Sequence, residues 1–355
     1  MRCATMKQTS LNPAIRQALN FGIIGYGRLA REYYAPALAG MKEVKVAAVA
    51  DPLEQSRLAA SRWRPPSRVY ENHLQMLQQE KLDAVLIASP PSSHLSVWLA
   101  TRKYGLPAFV EKPFALISQM EELPHLSDAE AALMVNFNRR FWLPYRRVIE
   151  AARNGTIGNL RHIKFIFQTD VERWSTVTNH RLAQAEGGVL HDLGSQAVDL
   201  VCQIANCDPS RISASVSSRR WEADCVRLEM EFPGGVSACC DLAYGAPNRE
   251  FLTVNGSTAS ILLREPNMAP HTTKRNQWSL ATRIEDYAWL GYRALFPRHR
   301  MLRSTIAEAL ALFAETIRTG DQFRPGYSDA CTNIRLLALA SGLSGATVAC
   351  RGANG

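Results

Sequence analysis

A glycine-rich turn near the start of the chain has the residue types of a phosphate-binding site. The apolar run FGII leads into it, and its positions are Gly25, Gly27, Arg28, Leu29 and Ala30. Glycines between a buried strand and a helix let the main chain approach a pyrophosphate, and the free amides of the helix N-terminus face its charge. The pattern GxGxxA is weak alone, because ordinary tight turns also use glycine, but its place between strand and helix favours a dinucleotide site.

An acidic residue ends the next predicted strand. At this position the carboxylate of Asp51 would accept the ribose hydroxyls of an adenosine. A carboxylate there also repels a 2′-phosphate, so NAD is the expected cofactor. NADP is the alternative, because the guanidinium of Arg28 beside the turn could bind a phosphate.

Polar residues follow two further predicted strands. They are Ser89, Pro90 and His94 after one strand, and Glu111 and Lys112 after the next. Ligands bind at the carboxyl edge of such sheets, so these residues are expected to meet the cofactor. Two alternatives remain: His94 could be a packed core ring, and Lys112 an exposed surface lysine.

The composition excludes several other kinds of protein. The 355 residues are 46% hydrophobic and 21% charged, which is typical of a globular chain of about two domains. The net charge is +9, but the basic residues are scattered among acids, so no nucleic acid partner is expected. No apolar run reaches the roughly 18 residues of a membrane span, so no membrane partner is expected either.

The cysteine pattern gives no sign of a metal site. Eight cysteines are present without a CxxC pair, and no histidine cluster stands near them at zinc spacing. The N-terminal residues lack the apolar segment of a secretory signal. The expectation is therefore a cytoplasmic protein with reduced thiols and no metal.

The first part of the chain alternates short apolar strands with helices. Strands are predicted at 21–25, 44–52, 82–91, 106–113 and 132–141, and helices at 28–40, 53–63, 71–80 and 92–105, the last capped by Ser92 or Ser93. The segment 115–130 is only moderately helical. This alternation predicts an α/β fold with a parallel sheet covered on both faces. The predicted divisions are a lead-in at 1–19, a dinucleotide-binding domain at 20–140 and a second domain at 141–355.

The second part of the chain has a different pattern. Strand-like segments follow one another with turn signals between them, which indicates an antiparallel sheet, and Pro233–Gly235 marks a hairpin. The predicted strands are 160–171, 211–218, 225–232, 236–244 and 250–263, and the predicted helices are 143–158, 187–205, 303–319 and 328–348.

Several of these segments together resemble the glucose–fructose oxidoreductase / inositol dehydrogenase / rhizopine-catabolism (Gfo/Idh/MocA) family. The matching motifs stand in the family's order over about residues 20–345: GYGRLA at 25–30, SPPSSH at 89–94, EKP at 111–113, NFNRRF at 136–141, GGVLHDLGSQAVD at 187–199 and NGSTASI at 255–261.

The resemblance implies a two-domain NAD(P)-dependent oxidoreductase. A Rossmann domain would precede an α/β domain with a large, mostly antiparallel sheet, whose open face usually forms a dimer or tetramer. Typical substrates are sugars, inositols and related small polar alcohols or carbonyls. By resemblance, Lys112 contacts the reacting oxygen and Asp192 orients the substrate.

One position departs from the family pattern. The family's catalytic histidine is replaced by Gln196, and an amide cannot accept a proton near neutral pH. Lys112 could take over the proton transfer, or His191 or His180 could substitute. Asp192, Gln196 and Asp199 are expected on one helix face, since they lie at i, i+4 and i+7.

The leading interpretation is an NAD(P)-dependent dehydrogenase or reductase acting on a sugar-like substrate. Because of Gln196, three other functions stay open: a cofactor-binding regulatory protein without turnover, an NAD-dependent glycosidase, and an imine reductase. A dehydrogenase would consume or produce NAD(P)H steadily, whereas a glycosidase of this family would release an aglycone without net cofactor change.

Overall fold

Two β-sheets organise the chain in the computed structural model, which describes residues 17–63, 68–173, 187–264, 271–272 and 298–342. The first sheet contains β1 (Leu19–Ile24), β2 (Val44–Ala50), β3 (Arg68–Tyr70), β4 (Ala84–Ile87), β5 (Ala108–Val110) and β6 (Leu133–Val135). Its strands are all parallel, in the order β3-β2-β1-β4-β5-β6. The order reverses between β1 and β4, which is where such sheets bind their ligands.

Helices cover both faces of this sheet, as the alternating pattern predicts. They are α1 (Ala35–Ala39), preceded by a π-helical turn at Ala30–Tyr34, α2 (Glu54–Ser61), α3 (His73–Gln79), α4 (Pro91–Arg102) and α5 (Asp128–Ala131).

Several predicted bounds in this part were wrong. The strands expected at 82–91 and 106–113 span only Ala84–Ile87 and Ala108–Val110. The N-cap of α4 is Pro90, not Ser92 or Ser93, because the fixed φ of Pro91 suits the first helical position. The strand expected at 132–141 ends at Val135, and residues 138–141 form a 3₁₀ turn.

The second sheet has seven strands and is mostly antiparallel, as expected. It contains β7 (Leu160–Thr169), β8 (Arg211–Ser217), β9 (Cys225–Phe232), β10 (Val236–Tyr244), β11 (Arg249–Gly256), β12 (Ser260–Leu263) and β13 (His271–Thr272). The order is β13-β12-β11-β7-β10-β9-β8, and only β7 and β10 pair in parallel among the described strands. The hairpin at Pro233–Gly235 is confirmed, whereas the segment 250–263 is two strands.

One face of the second sheet carries the core of this half of the molecule. Helix α6 (Leu143–Arg153) and helix α7 (Ser195–Ala205), which continues a π-helical turn at Leu190–Gly194, pack on it. Along β9 the burial alternates, so its charged residues face the other side of the sheet.

The last two described helices connect the two halves. Helix α8 (Arg298–Thr319) follows the second sheet in sequence but packs on the first. The Phe313 ring lies edge-on to Phe21 and Phe109, with ring centroids 5.7 and 5.6 Å away. Helix α9 (Tyr327–Ala340) places Ile334 in the core of the first sheet and Leu337 in that of the second. Residues 343–348 of the helix predicted here lie outside the described residues.

No helix within the described ranges is both long and apolar enough to cross a bilayer.

Candidate active site

A cavity of about 1150 Å³ opens at the carboxyl edge of the first sheet and extends to the second. Ligand pockets are typically about 300–1,000 Å³, so this cavity has room for a dinucleotide together with a small substrate. It is lined by most of the residues singled out in the sequence: Gly25, Gly27, Arg28, Leu29, Asp51, Ser89, Pro90, His94, Glu111, Lys112, Asp192 and Gln196. Ala30 is the one predicted cofactor-binding residue that does not line it, because its side chain is fully buried in the core behind the turn.

The two glycines of the turn serve different purposes. Gly25 has φ +88°, and a Cβ there would lie 2.6 Å from the amide nitrogen of Ser89, so β1 can approach the end of β4 only with glycine at this point. A Cβ on Gly27 would meet no atom within 4 Å. The space in front of Gly27 is therefore open to a ligand.

The carboxylate of Asp51 is held rigidly at the end of β2. Oδ2 accepts a hydrogen bond from the Tyr26 amide at 2.7 Å, and Oδ1 accepts one from the Leu53 amide at 2.8 Å. Each oxygen retains a second lone-pair direction, which suits two ribose hydroxyls. The Arg28 guanidinium, the possible phosphate ligand, is paired with Glu32 at 3.2 Å.

His94 is a buried ring that joins the ends of two strands. Its Nδ1 lies 2.7 Å from the carbonyl oxygen of Pro113, and its Nε2 lies 2.8 Å from that of Ser89. This geometry supports a role in positioning the two strand ends. Its contact with the cofactor stays a prediction.

Glu111 belongs to a buried cluster at the ends of β5 and β6. Its Oε1 accepts hydrogen bonds from Asn136 Nδ2 at 2.7 Å and from the Tyr34 hydroxyl, and its Oε2 accepts one from the Lys112 amide at 3.1 Å. Burial, reinforced by the Glu111 charge, holds the pKa of Tyr34 well above its ordinary value, so this hydroxyl keeps its proton. The cluster fixes the main chain from which Lys112 projects.

Lys112, Asp192 and Tyr244 form a connected group on the cavity wall. The Lys112 ammonium is ion-paired with Asp192 Oδ1 and also donates to the Asp192 carbonyl oxygen at 3.2 Å. The Tyr244 hydroxyl donates to Asp192 Oδ2 at 2.6 Å. A proton-bearing amine is thus held next to the space that a substrate would occupy.

Gln196 also faces this space, whereas Asp199 does not. Gln196 lines the cavity, and its Oε1 is buried without a hydrogen-bond partner. Asp199 turns away to form an ion pair with Arg140, which also contacts Asp329 at 3.1 Å. Burial raises the pKa of Asp199, and the Arg140 charge opposes that shift. The expectation of one shared face was wrong for Asp199, whose carboxylate is bound by Arg140 outside the cavity lining.

His191 does not replace the missing histidine. Its Nε2 accepts a hydrogen bond from the Ile117 amide at 3.0 Å, and its Nδ1 lies 3.0 Å from the Gly187 carbonyl oxygen. The ring is therefore a neutral tautomer committed to main-chain partners, and it does not line the cavity. The other candidate, His180, lies outside the described residues.

A further buried ion pair, between Arg139 and Glu250, was not predicted from the sequence. Arg139 contacts Glu250 at 2.5 Å, and the Tyr145 hydroxyl donates to the same carboxylate at 2.6 Å. The guanidinium also lies 4.2 Å from the centroid of the Phe167 ring. The NFNRRF motif could have identified Arg139. Glu250 and Tyr244 lie in strands β11 and β10, where no sequence motif indicates a functional residue.

Several observations fit a dinucleotide bound in this cavity. The glycine turn leaves open space at Gly27, and Asp51 presents a fixed carboxylate at the neighbouring strand end. Four buried polar atoms without partners belong to residues that line the cavity, and a ligand would give them partners: Asn136 Oδ1, Asn138 Oδ1, Trp142 Nε1 and Gln196 Oε1. No cluster of three metal-ligating side chains occurs among the described residues.

Two family models match the chain and divide it as the two sheets do. Residues 19–137 match the oxidoreductase family with an NAD-binding Rossmann fold. Residues 145–262 match the GFO/IDH/MocA C-terminal domain.

Curated proteins of similar sequence belong to the same family of oxidoreductases. The chain is 27% identical over 229 residues to the rhizopine catabolism protein MocA of Rhizobium meliloti, covering 63% of this chain and 68% of that one. It is 26% identical over 202 residues to an inositol 2-dehydrogenase of the same species, covering 56% and 58%.

Solved structures share the fold. The scyllo-inositol dehydrogenase of Lactobacillus casei, solved with NAD(H) and scyllo-inositol, superimposes with a TM-score of 0.72 at 19% identity, covering 92% of this chain and 96% of that one. An oxidoreductase domain protein of Kribbella flavida gives 0.75 at 19%, covering 91% and 96%. With both sheets matched by the family's own models, the chain belongs to the Gfo/Idh/MocA family of NAD-binding oxidoreductases.

Proposed function

We propose that this protein is a dehydrogenase or reductase that acts on a neutral, sugar-like alcohol or the corresponding carbonyl compound. The observation that carries the proposal is the Lys112–Asp192–Tyr244 group, which lies on the wall of the same cavity as the glycine turn. A proton-transfer group and a dinucleotide site in one cavity are what such a reaction needs.

Lys112 moves the proton in this scheme. A bound nicotinamide supplies or accepts the hydride at the substrate carbon. In the reductive direction, Lys112 Nζ donates its proton to the substrate oxygen, and Asp192 keeps the amine in place. Tyr244 fixes the second oxygen of Asp192. Gln196 binds a substrate hydroxyl without taking its proton.

The charges of the cavity favour a neutral substrate. Lys112 is paired with Asp192, Arg139 with Glu250, and Arg28 with Glu32. A carboxylate or phosphate substrate would have to compete with these internal acids for its cation. The scyllo-inositol of the Lactobacillus casei structure is a neutral polyol of this kind.

The test is a substrate panel followed by three variants. NADH formation is measured with myo-inositol, scyllo-inositol, neutral sugars and sugar acids. With an active polyol, Lys112→Met should lower kcat by about 10²- to 10⁴-fold, the usual size of a general acid–base contribution. Tyr244→Phe should lower kcat by about 10-fold, since a hydrogen bond to a charged group is lost.

The control variant is Lys103→Met at the exposed end of α4, which should leave kcat unchanged. The affinity for NADH is measured in parallel, so that a loss of cofactor binding is not mistaken for a loss of proton transfer. Turnover at the wild-type rate by Lys112→Met would refute the assignment.

Gln196 supports one second candidate, a regulatory protein that binds NAD without turnover. A glutamine at this position removes the proton acceptor that resemblance predicts. Tight NADH binding with no turnover across the whole panel would favour this candidate over the enzyme. Aglycone release without net NADH would instead favour a glycosidase.

We also infer that two or four copies associate through the outer face of the second sheet. The exposed charged residues of β9 lie on this face. Among the described elements, no helix covers this side of the seven-stranded sheet. Light scattering of the purified protein tests the number of copies.

The six described cysteines are free thiols, which supports a reducing compartment such as the cytoplasm.

A further inference from the structure

We propose that Glu71 is a second cofactor-selecting residue, which acts beside Asp51 against the 2′-phosphate of NADP. This inference uses only the binding of a dinucleotide and does not depend on the proposed substrate. Glu71 directly follows β3, a three-residue strand that is too short to be predicted from the sequence.

The register of the first sheet brings the two acids together. Ala50 is paired with Tyr70, and the Asp51 amide donates to the Tyr70 carbonyl oxygen at 3.0 Å. Asp51 and Glu71 therefore leave the sheet side by side at its carboxyl edge. Both line the large cavity, at the end where the adenosine ribose would lie.

A cation, Arg57, contacts the main chain of Asp51 and the side chain of Glu71. Arg57 Nη1 donates to the carbonyl oxygens of Asp51 at 2.9 Å and Pro52 at 2.7 Å, and its Nη2 lies 4.0 Å from Glu71 Oε2. The two main-chain bonds anchor the guanidinium beside the loop after β2. Glu71 provides the opposing charge, and without it Arg57 would be available to a phosphate.

Two other basic residues line this end of the cavity in the described part of the chain, Arg28 and His73. Arg28 is paired with Glu32. His73 lines the cavity, but burial lowers the pKa of its ring, so it carries no charge at neutral pH. The balance between Arg57 and Glu71 therefore decides how strongly this end of the cavity resists a 2′-phosphate.

Glu71 can be changed without disturbing the fold. Its side chain is 74% exposed. Because exposed charges act through a solvent-screened field, the effect should be modest: we expect Glu71→Gln to tighten NADPH binding by about threefold to fivefold and to change NADH binding by less than about twofold.

The experiment measures dissociation constants of NADH and NADPH by fluorescence titration, without substrate. The matched control is Glu54→Gln, which removes one exposed acid from the first turn of α2, outside the cavity lining. A double variant, Glu71→Gln with Arg57→Met, tests whether Arg57 receives the phosphate and should lose most of the gain. Thermal unfolding confirms that each variant is folded.

The proposal would be overturned by an unchanged NADPH affinity in Glu71→Gln, by an equal gain in Glu54→Gln, or by a gain that survives in the double variant. A loss of all dinucleotide binding in Glu71→Gln would overturn it as well, since Glu71 would then support NAD itself. These are binary complexes, so failure of the proposed reaction leaves the result unaffected.

Discussion

Substituting the two glycines of the phosphate turn separates folding from cofactor binding. Gly25→Ala places a Cβ 2.6 Å from the Ser89 amide nitrogen and 2.7 Å from the Ala88 carbonyl carbon, at φ +88°. Neither main-chain atom can move without shifting β4. Gly27→Ala meets no atom within 4 Å, so the same methyl group costs the fold almost nothing.

The magnitudes follow from these contacts. An L-residue in the left-handed region costs about 1–2 kcal/mol, and forced overpacking of a tight site adds about 1–3 kcal/mol. Gly25→Ala should therefore lower the free energy of unfolding by about 2–5 kcal/mol. Gly27→Ala should change it by less than about 0.5 kcal/mol, as open surface positions do.

Gly27→Ala, which leaves stability unchanged, should be the variant that weakens cofactor binding. The methyl group of Gly27→Ala stands in the space through which the pyrophosphate must approach, so NADH affinity should fall by about tenfold or more even though the protein is as stable as the wild type. Urea unfolding and NADH fluorescence titration measure the two quantities independently. If Gly25→Ala were as stable as the wild type, or Gly27→Ala bound NADH normally, the assignment of this turn would be wrong.

Two further predictions concern buried charges away from the turn. Asp224 accepts hydrogen bonds from the amides of residues 219–221. Burial raises the pKa of Asp224, but these bonds outweigh it and the net pKa is lowered, so its contribution to stability is present above the ordinary aspartate pKa and lost as pH falls through the lowered folded value. Asp224→Asn should thus lower the free energy of unfolding by about 1–3 kcal/mol at neutral pH, with the gap to wild type closing in acid; a gap independent of pH would contradict this. Glu250→Ala leaves Arg139 buried without its carboxylate, which should cost about 3–5 kcal/mol in thermal unfolding. Replacing both partners by apolar residues of similar volume should cost less than the single change, and an equal cost would contradict the burial argument.

The sequence predicted the fold more completely than the site. The run AVLI is fully buried in the first sheet, and so are residues 48–50 at the end of β2; the apolarity of both stretches was visible without a structure. β3 was missed because three residues are too few to show a periodicity, and Glu71 was missed with it. Helix α7 was predicted, but the partner of Asp199 is Arg140, 59 residues away in sequence, so this ion pair was not foreseen.

Within the site, local motifs were found and long-range partners were not. Lys112 stands in the EKP segment and Asp192 in the GGVLHDLGSQAVD segment, both of which the family resemblance identified. Tyr244 gives no such sign, since an aromatic residue at the end of a strand is usually only part of the core. Its hydrogen bond to Asp192 depends on how two distant segments pack, which no spacing within one segment encodes.

The return of α8 to the first sheet affects how the protein is made on the ribosome. The nucleotide-binding sheet is complete in sequence at Val135, but Phe313 fills the gap between Phe21 and Phe109. At about 5–20 residues per second, synthesis needs roughly 10–35 s to supply that side chain after the last strand emerges. During this time the nascent sheet exposes an apolar face, so the N-terminal half of the molecule is finished last and is the part that most needs protection from aggregation.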